Sequence, residues 1–331
     1  MIKTRPSQNW LFVLVLLVAH YSLAQNLDGI TGVRDSSYTT LAAYTKDVKK
    51  HPGIKVVTEF RFNDVKESRN IVYSILGNRK LLLDVFQNTT KSQVPRTAIV
   101  IIHGGGWRTG DRTQHYPMAQ KLADLGYVCF TPEYRLSTEA LFPAAVFDLK
   151  AAVRYVRANA VEYHIDPDKI AVLGFSAGGE LASFLGVTAN MPLFEGNCMG
   201  NEQPSTVNAV IDIDGILSFV HPDSGEGNDT NGISAATYWF GFPKNDNPVL
   251  WETASPLSYV GHKTPPTLFI NSSIERMHAG RDDYIAVLDK NRIYSEVHEF
   301  RDAPHSFCLY HPWFQPTIVY IDLFLRTVLD K

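Results

Sequence analysis

From residue 54 onward, apolar and β-branched runs alternate with stretches of helical period. "KVVTEFRF" (55–62), "NIVYSIL" (70–76) and "KLLLDVFQ" (80–87) predict an opening β-meander. "TAIVIIHG" (97–104), "YVCFTPEY" (127–134), "KIAVLGFS" (169–176), "NAVIDIDG" (208–215), "PTLFINSS" (266–273) and "YSEVHEF" (294–300) follow. Unlike a half-exposed strand, the middle runs scarcely alternate, so they predict strands covered on both faces. Between them, "LFPAAVFDLKAAVRYVRANA" (141–160) spaces its apolar residues as a helix does, and "PTIVYIDLFLRTVLD" (316–330) predicts a closing amphipathic helix. The pattern predicts an α/β fold, a mostly parallel central sheet with helices on both faces, in a single domain over 54–331. Residues 25–53 are polar and weakly patterned, with a helix expected from Tyr38 to Lys49 packing as an N-terminal cap.

The first 24 residues differ in kind. Lys3 and Arg5 precede the apolar run "WLFVLVLLVAHYSLA", and Ser22-Leu23-Ala24 supplies small residues before Gln25. This is the pattern of a secretory signal peptide, and the apolar stretch is shorter than the ~20 residues of a membrane span. The expectation is a secreted or periplasmic protein with no membrane insertion after cleavage. Over the 331 residues, 45% are hydrophobic and 20% charged, enough for one large core. A net charge of −3 leaves no basic footprint for a nucleic-acid partner. Cys129, Cys198 and Cys308 have no metal-ligand spacing and allow at most one disulfide. Asn88-Thr89-Thr90 is a glycosylation sequon wherever the host glycosylates.

Gly174-Phe175-Ser176-Ala177-Gly178 fits G-x-S-x-G between a strand pattern and a helix pattern. A turn this sharp brings neighbouring chain so close that side chains at 174 and 178 would clash, and it aims the hydroxyl away from the sheet. Upstream, a strand ends in His103-Gly104-Gly105-Gly106-Trp107. Gly105 and Gly106, with Ala177, can offer backbone N–H groups to a tetrahedral oxyanion. Serine needs a base to become a nucleophile. His305, in "FRDAPHSF" after the last strand pattern, stands where this architecture places one; His103 belongs to loop geometry, and His164, His298 and His311 read as surface or packing residues.

With "HGGGW", "EYRL", "FPA", "DP.KIAV.G.SAGG" and the final "HSF" all present, the chain from about Ile71 to its C-terminus resembles the α/β-hydrolases of the esterase/lipase group. It is nearest the hormone-sensitive-lipase-like and feruloyl-esterase-like branches. The resemblance implies a serine hydrolase with Ser176 as nucleophile, His305 as base and no metal or organic cofactor. It also implies an acid in the loop after "PTLFI", in a stretch like "HGTxDxxV", where this chain has "NSSIERMHAGRDDYI". Glu275 stands at the expected spacing, with Asp282 as the alternative and Asp283 nearby. Asp214, after "AVIDID", is a further option, because some hydrolases take their acid from that earlier strand. The same region is similar to a subgroup of polysaccharide-degrading bacteria linked to pectin or xylan deacetylation.

Residues 221–241, "HPDSGEGNDTNGISAATYWFG", are long and glycine-rich and end in aromatics. A loop at that position is expected to overhang the strand ends. Trp107, Tyr238 and Trp239 are expected to form a sugar- or acyl-facing wall, the other reading being core of a small cap. Glu226, Asn228, Asp229 and Asn231 lack the spacing of a calcium loop and read as a solvated turn. The function expected is a serine esterase removing acetyl or other small acyl groups from plant polysaccharide. A lipase or general short-chain carboxylesterase, and a noncatalytic binding protein retaining the fold, are the alternatives.

Overall fold

The computed structural model describes residues 25–196 and 202–330. The expected signal peptide and Cys198 lie outside them. Eight strands form the main sheet: β1 (Val65–Leu76), β2 (Arg79–Asn88), β3 (Arg96–Ile102), β4 (Val128–Pro132), β5 (Ile165–Phe175), β6 (Ala209–Ile213), β7 (Thr267–Asn271) and β8 (Ser295–Glu299). Their order across the sheet is β1-β2-β4-β3-β5-β6-β7-β8. β1 and β2 form an antiparallel hairpin, and β2 runs antiparallel to β4. Every pairing from β4 across to β8 is parallel.

The middle strands are apolar throughout because both faces are covered. In β3, Ala98, Val100 and Ile102 point into one core, shared with helices α3 (Ala144–Ala158) and α4 (Ala177–Val187) through Leu149, Val153, Leu181 and Phe184. Ile99 and Ile101 point into the other, shared with α2 (Tyr116–Asp124) and α7 (Phe314–Leu329) through Met118, Leu122, Ile318, Ile321 and Phe324. Each fully buried aliphatic side chain of this kind contributes about 1.5–3 kcal/mol. A smaller cluster of Leu217, Phe269, Tyr284 and Leu288 seats α6 (Arg281–Lys290) beyond β6 and β7.

The first expected strand is corrected. Of "KVVTEFRF", only Lys55–Val56 is extended and paired, and its partner is Tyr310–His311 outside the main sheet. The apolar residues that suggested a strand are satisfied by packing: Phe60 stacks on Phe62 (5.5 Å) and tilts against Phe314 (5.9 Å), and its N–H donates to the Gln120 side chain (2.7 Å). The N-terminal helix α1 (Thr40–Asp47) lies inside the expected span, with Thr39 Oγ1 accepting the Ala42 N–H at 3.1 Å as its cap. Among the described residues no helix is long and apolar enough to cross a membrane.

The order of strands places the site. After β3 the chain moves to β4 on one side, then returns to β5 on the other, so the crevice at the carboxyl ends of β3 and β5 is a topological switch point. The triple glycine follows β3 and Ser176 follows β5.

Candidate active site

Ser176 joins β5 to α4 with φ 57° and ψ −123°, a left-handed backbone that serine adopts only under constraint. Its N–H is held by the Ile213 carbonyl (2.8 Å), and its carbonyl accepts from Gly179 N–H (2.8 Å) and Glu180 N–H (3.0 Å). The flanking glycines are obligatory for space: a Cβ on Gly174 would sit 1.8 Å from Gly178 O, and one on Gly178 2.3 Å from Ile102 O.

His305, six residues beyond β8, places Nε2 2.8 Å from Ser176 Oγ. Its Nδ1 lies 2.9 Å from Asp214 Oδ2. An ionised carboxylate only accepts, so Nδ1–H donates to Asp214 and leaves Nε2 free to accept from the serine hydroxyl. Asp214 is fully buried directly after β6, with φ 52°. Its other oxygen accepts the Ser272 N–H at 2.7 Å, so the carboxylate is fixed from two sides.

This corrects the expected acid. Glu275 sits in a short 3₁₀ turn, Glu275–His278, and is exposed. Asp282 is exposed in the first turn of α6, where its Oδ1 accepts from Arg281 Nε (2.9 Å), and Asp283 faces His221 (3.5 Å). None of the three touches His305. Past Asn271 the chain spends the Ser272 amide on Asp214 and turns outward, carrying the later acids away from the imidazole.

Gly105 (φ 126°) and Gly106 (φ 57°) curl beneath the mouth of the crevice. Their N–H groups and that of Ala177 have no acceptor among the described residues, so all three remain available to an incoming oxygen. His103 stays behind this loop, stacked on Tyr134 (4.4 Å), with Nδ1–H donating to Gly104 O (2.8 Å). Burial pushes its pKa down to about 4, so it is a neutral packing group at physiological pH.

A cavity of about 200 Å³ opens over Ser176, lined by Gly106, Trp107, Ala177, Ile216, Glu226, Ala235, Arg276, Met277 and His305. Trp107 belongs to this wall; Tyr238 and Trp239 do not. Helix α5 (Ala235–Phe240) turns Ala235 toward the cavity and Trp239 into the core, where it is fully buried and stacks on Trp107 (4.8 Å, 6°). Tyr238 faces the other way, under the Arg108 guanidinium (4.2 Å). Ser234 caps α5, its Oγ accepting the Thr237 N–H (3.1 Å), and Asp229 braces that cap by accepting from Ser234 N–H (2.7 Å) and Thr237 Oγ1 (2.9 Å). Next to the cavity lies a polar groove of about 560 Å³ that holds Glu275, Asp282 and Asp283 together with His221, His278 and Arg281; Arg276 borders both spaces. Arg276 is held at that border by Glu226 (3.1 Å). Among the described residues no group of three or more His, Cys, Asp or Glu stands where it could hold a metal ion, and Cys129 and Cys308 are buried and unpaired.

Sequence reasoning missed the role of residues 25–53 here. Arg108, just past the triple glycine, donates to Asp35 (2.9 Å) and to Gly29 O (3.1 Å), and Tyr38 OH meets Ser306 Oγ (3.2 Å) beside His305. No pattern in that polar segment signalled it.

Two buried carboxyls flank the start of α4. Asp212 accepts from Ser183 Oγ (2.7 Å) and Gly215 N–H (2.6 Å), and Glu180 accepts from Trp107 Nε1 (2.9 Å). Burial lifts Asp212 to about 7, its two hydrogen bonds opposing and Asp214 adding to the rise. Between the ordinary carboxylate value and 7 the unfolded chain gives up this proton and the folded chain keeps it, so stability falls as pH rises through that window, by about 1.4 kcal/mol per unit of separation. Asp212→Asn is expected to remove this slope: urea unfolding at pH 4 and pH 8 should show wild type losing more stability than the variant. Equal losses would place the proton elsewhere.

A family model described as BD-FAE matches residues 83–278. Esterase LipQ of Mycobacterium tuberculosis is 29% identical over 246 residues, covering 70% of this chain and 56% of LipQ. Carboxylesterase NlhH of the same species is 40% identical over 88 residues, 26% of this chain and 28% of NlhH. The chain thus spans about half the length or less of these named relatives. Among solved structures, a truncated carbohydrate esterase from gut microbiota superposes with a TM-score of 0.66 at 24% identity, over 82% of this chain and 99% of that one. Butyrate-bound Est2 of Thermogutta terrifontis gives 0.66 at 23%, over 81% and 95%. At such identities the structures establish the α/β-hydrolase fold.

Proposed function

We propose that this chain, which belongs to the BD-FAE family, is a serine carboxylic ester hydrolase that removes small acyl groups from hydroxyl-rich alcohols, plant polysaccharide foremost. The observation that carries the reading is the unbroken relay from Ser176 Oγ to His305 Nε2 (2.8 Å) and from His305 Nδ1 to Asp214 (2.9 Å). In this reading Ser176 attacks the ester carbonyl as His305 takes its proton. The oxyanion gathers on the N–H groups of Gly105, Gly106 and Ala177. Protonated His305, stabilised by Asp214, then delivers the proton to the departing alkoxide, and water attacks the acyl-enzyme by the same route to release the acid. The names of the relatives, esterases and carboxylic ester hydrolases, agree with this chemistry.

Substrate size and polarity follow from the two spaces. The 200 Å³ cavity, closed by Trp107, Ile216, Ala235 and Met277, suits an acyl group of a few carbons. The groove beyond Arg276 is lined almost entirely by charged and imidazole side chains, which suit an alcohol bearing many hydroxyls and disfavour a fatty one. Action outside the cytoplasm is proposed on the charged-then-apolar pattern of residues 1–24.

The test is acetate release from acetylated xylan and pectin, run beside p-nitrophenyl esters of increasing acyl length. The expected result is release from a polymer and a kcat/KM at least tenfold higher for acetyl to butyryl than for decanoyl esters. Cleavage of small esters with no polymer turnover would remove the polysaccharide from the reading. A preference for long acyl chains would favour a lipase, and failure to react with a fluorophosphonate probe would favour a noncatalytic binding protein.

A further inference from the structure

The Gly105–Gly106 turn poses a mechanical problem. Its two amide N–H groups must stay unpaired to serve an oxyanion, so they cannot help to fix it. Three successive residues, Gly105, Gly106 and Trp107, also have positive φ, at 126°, 57° and 57°. A non-glycine residue at such an angle persists only where its surroundings impose it. The carbonyls give part of the hold: Gly105 O accepts from Arg108 N–H (3.2 Å) and Thr109 N–H (2.9 Å), and Trp107 O accepts from Ser137 N–H (2.7 Å). The rest comes from the Trp107 side chain, which is buried, stacked on Trp239 and tied at Nε1 to Glu180 Oε2 (2.9 Å).

Glu180 is an unusual anchor. It is fully buried in the first turn of α4, and its other oxygen, Oε1, has no hydrogen-bond partner. It stands in "AGGELASFLG", a run that is otherwise small or apolar apart from Ser183. The indole N–H is a donor only, so an acceptor is required opposite it, and a leucine in place of Glu180 would pack but leave that donor orphaned.

We propose that Glu180 is a positioning residue of the oxyanion hole, holding the Gly105–Gly106 turn in register with Ala177 through the hydrogen bond it accepts from Trp107. The proposal rests on the esterase reading. One short helix then sets every donor: α4 carries Ala177 directly at its first position, and one turn later carries the group that anchors the opposite donors through Trp107. Preorganised donors lower the barrier only when their spacing is already that of the transition state, so a loosened turn costs turnover more than binding. Asp212 and Tyr134 are the titratable groups that face Glu180. Burial, with Asp212 adding to it, holds Glu180 well above the ordinary carboxylate range. Glutamine keeps a carbonyl oxygen that can accept the Trp107 indole N–H in the same place.

The experiment compares Glu180→Gln, Glu180→Leu, Trp107→Phe and the Glu180→Leu/Trp107→Phe double variant on p-nitrophenyl acetate. Glu180→Gln, which keeps an acceptor oxygen, is expected within threefold of wild type in kcat. Glu180→Leu and Trp107→Phe are each expected to lose ten- to a hundredfold in kcat with KM changed less than threefold, and the double variant to lose no more than the worse single one. Glu180→Leu turning over within threefold of wild type overturns the proposal, as do losses that multiply in the double variant. If Glu180→Leu does not fold, Trp107→Phe against Glu180→Gln decides by the same criteria. Ser176→Ala, run alongside, separates the two failures: retained turnover there overturns the esterase reading itself, whereas a dead Ser176→Ala beside an active Glu180→Leu overturns only the role of Glu180.

Discussion

Asp214→Asn is expected to lower kcat on p-nitrophenyl acetate by about four orders of magnitude, the scale set by the same change in a known serine-protease triad. Asparagine has the shape of aspartate, and its amide oxygen can still accept the Ser272 N–H now held at 2.7 Å. What changes is the face toward His305. An amide NH₂ presented to Nδ1 donates rather than accepts, which moves the ring proton to Nε2. That nitrogen then donates to Ser176 Oγ and cannot take its proton. The carboxylate charge that would stabilise the imidazolium is lost as well. Far-UV circular dichroism and a melting curve establish that the variant is folded, and steady-state kinetics reads the loss. Glu275→Gln and Asp282→Asn, exposed and out of contact with His305, are expected to change turnover of this sugar-free ester by less than threefold. A large loss in either would move the acid to the loop after β7.

The acid shows where sequence reading stops. The runs placed all eight main-sheet strands, the middle ones because a strand buried on both faces must be apolar along its length, and this holds whatever the partners are. Ser176, His305 and the triple glycine were legible for a related reason: the serine's turn excludes side chains at 174 and 178 locally, in a way the sequence itself displays. The contact between His305 and a carboxylate is instead decided by two loops far apart in the chain. Asp214 and Glu275 differ in this respect only by where each backbone turns. A signal was present, since "AVIDIDG" puts two carboxylates inside a run that must be buried, and buried carboxylates need donors. Asp212 finds them in Ser183 and Gly215, and Asp214 in Ser272 and His305. Glu180 carried the same signal inside its apolar helix. Trp239 illustrates the opposite failure: aromatics at the end of a long loop suited a ligand wall, but a six-residue helix turned one tryptophan into the core and left Ala235 at the cavity. "KVVTEFRF" had strand composition but found a partner only for Lys55–Val56, and its rings packed instead.

Ser176→Ala is expected to abolish turnover, a loss of about six orders of magnitude in kcat where a nucleophile of this kind has been removed elsewhere. A second comparison, Ser176→Gly, tests the geometry rather than the hydroxyl. Both variants lack the nucleophile and the bond to His305, so their difference in stability reports the backbone alone. At φ 57° and ψ −123°, alanine keeps the strain that serine bears, and glycine does not. Strain of this kind is worth about 1–3 kcal/mol, against which glycine gives back about 0.4–1 kcal/mol through the freedom of its unfolded chain. Ser176→Gly is therefore expected to be more stable than Ser176→Ala by about 1 kcal/mol, a shift of about 2 °C or somewhat less in Tm for a domain of this size. The glycine variant melting at or below the alanine variant would mean that the elbow is unstrained, and that the left-handed serine is an easy conformation here rather than one imposed by β5, α4 and the close approach of Gly174 to Gly178.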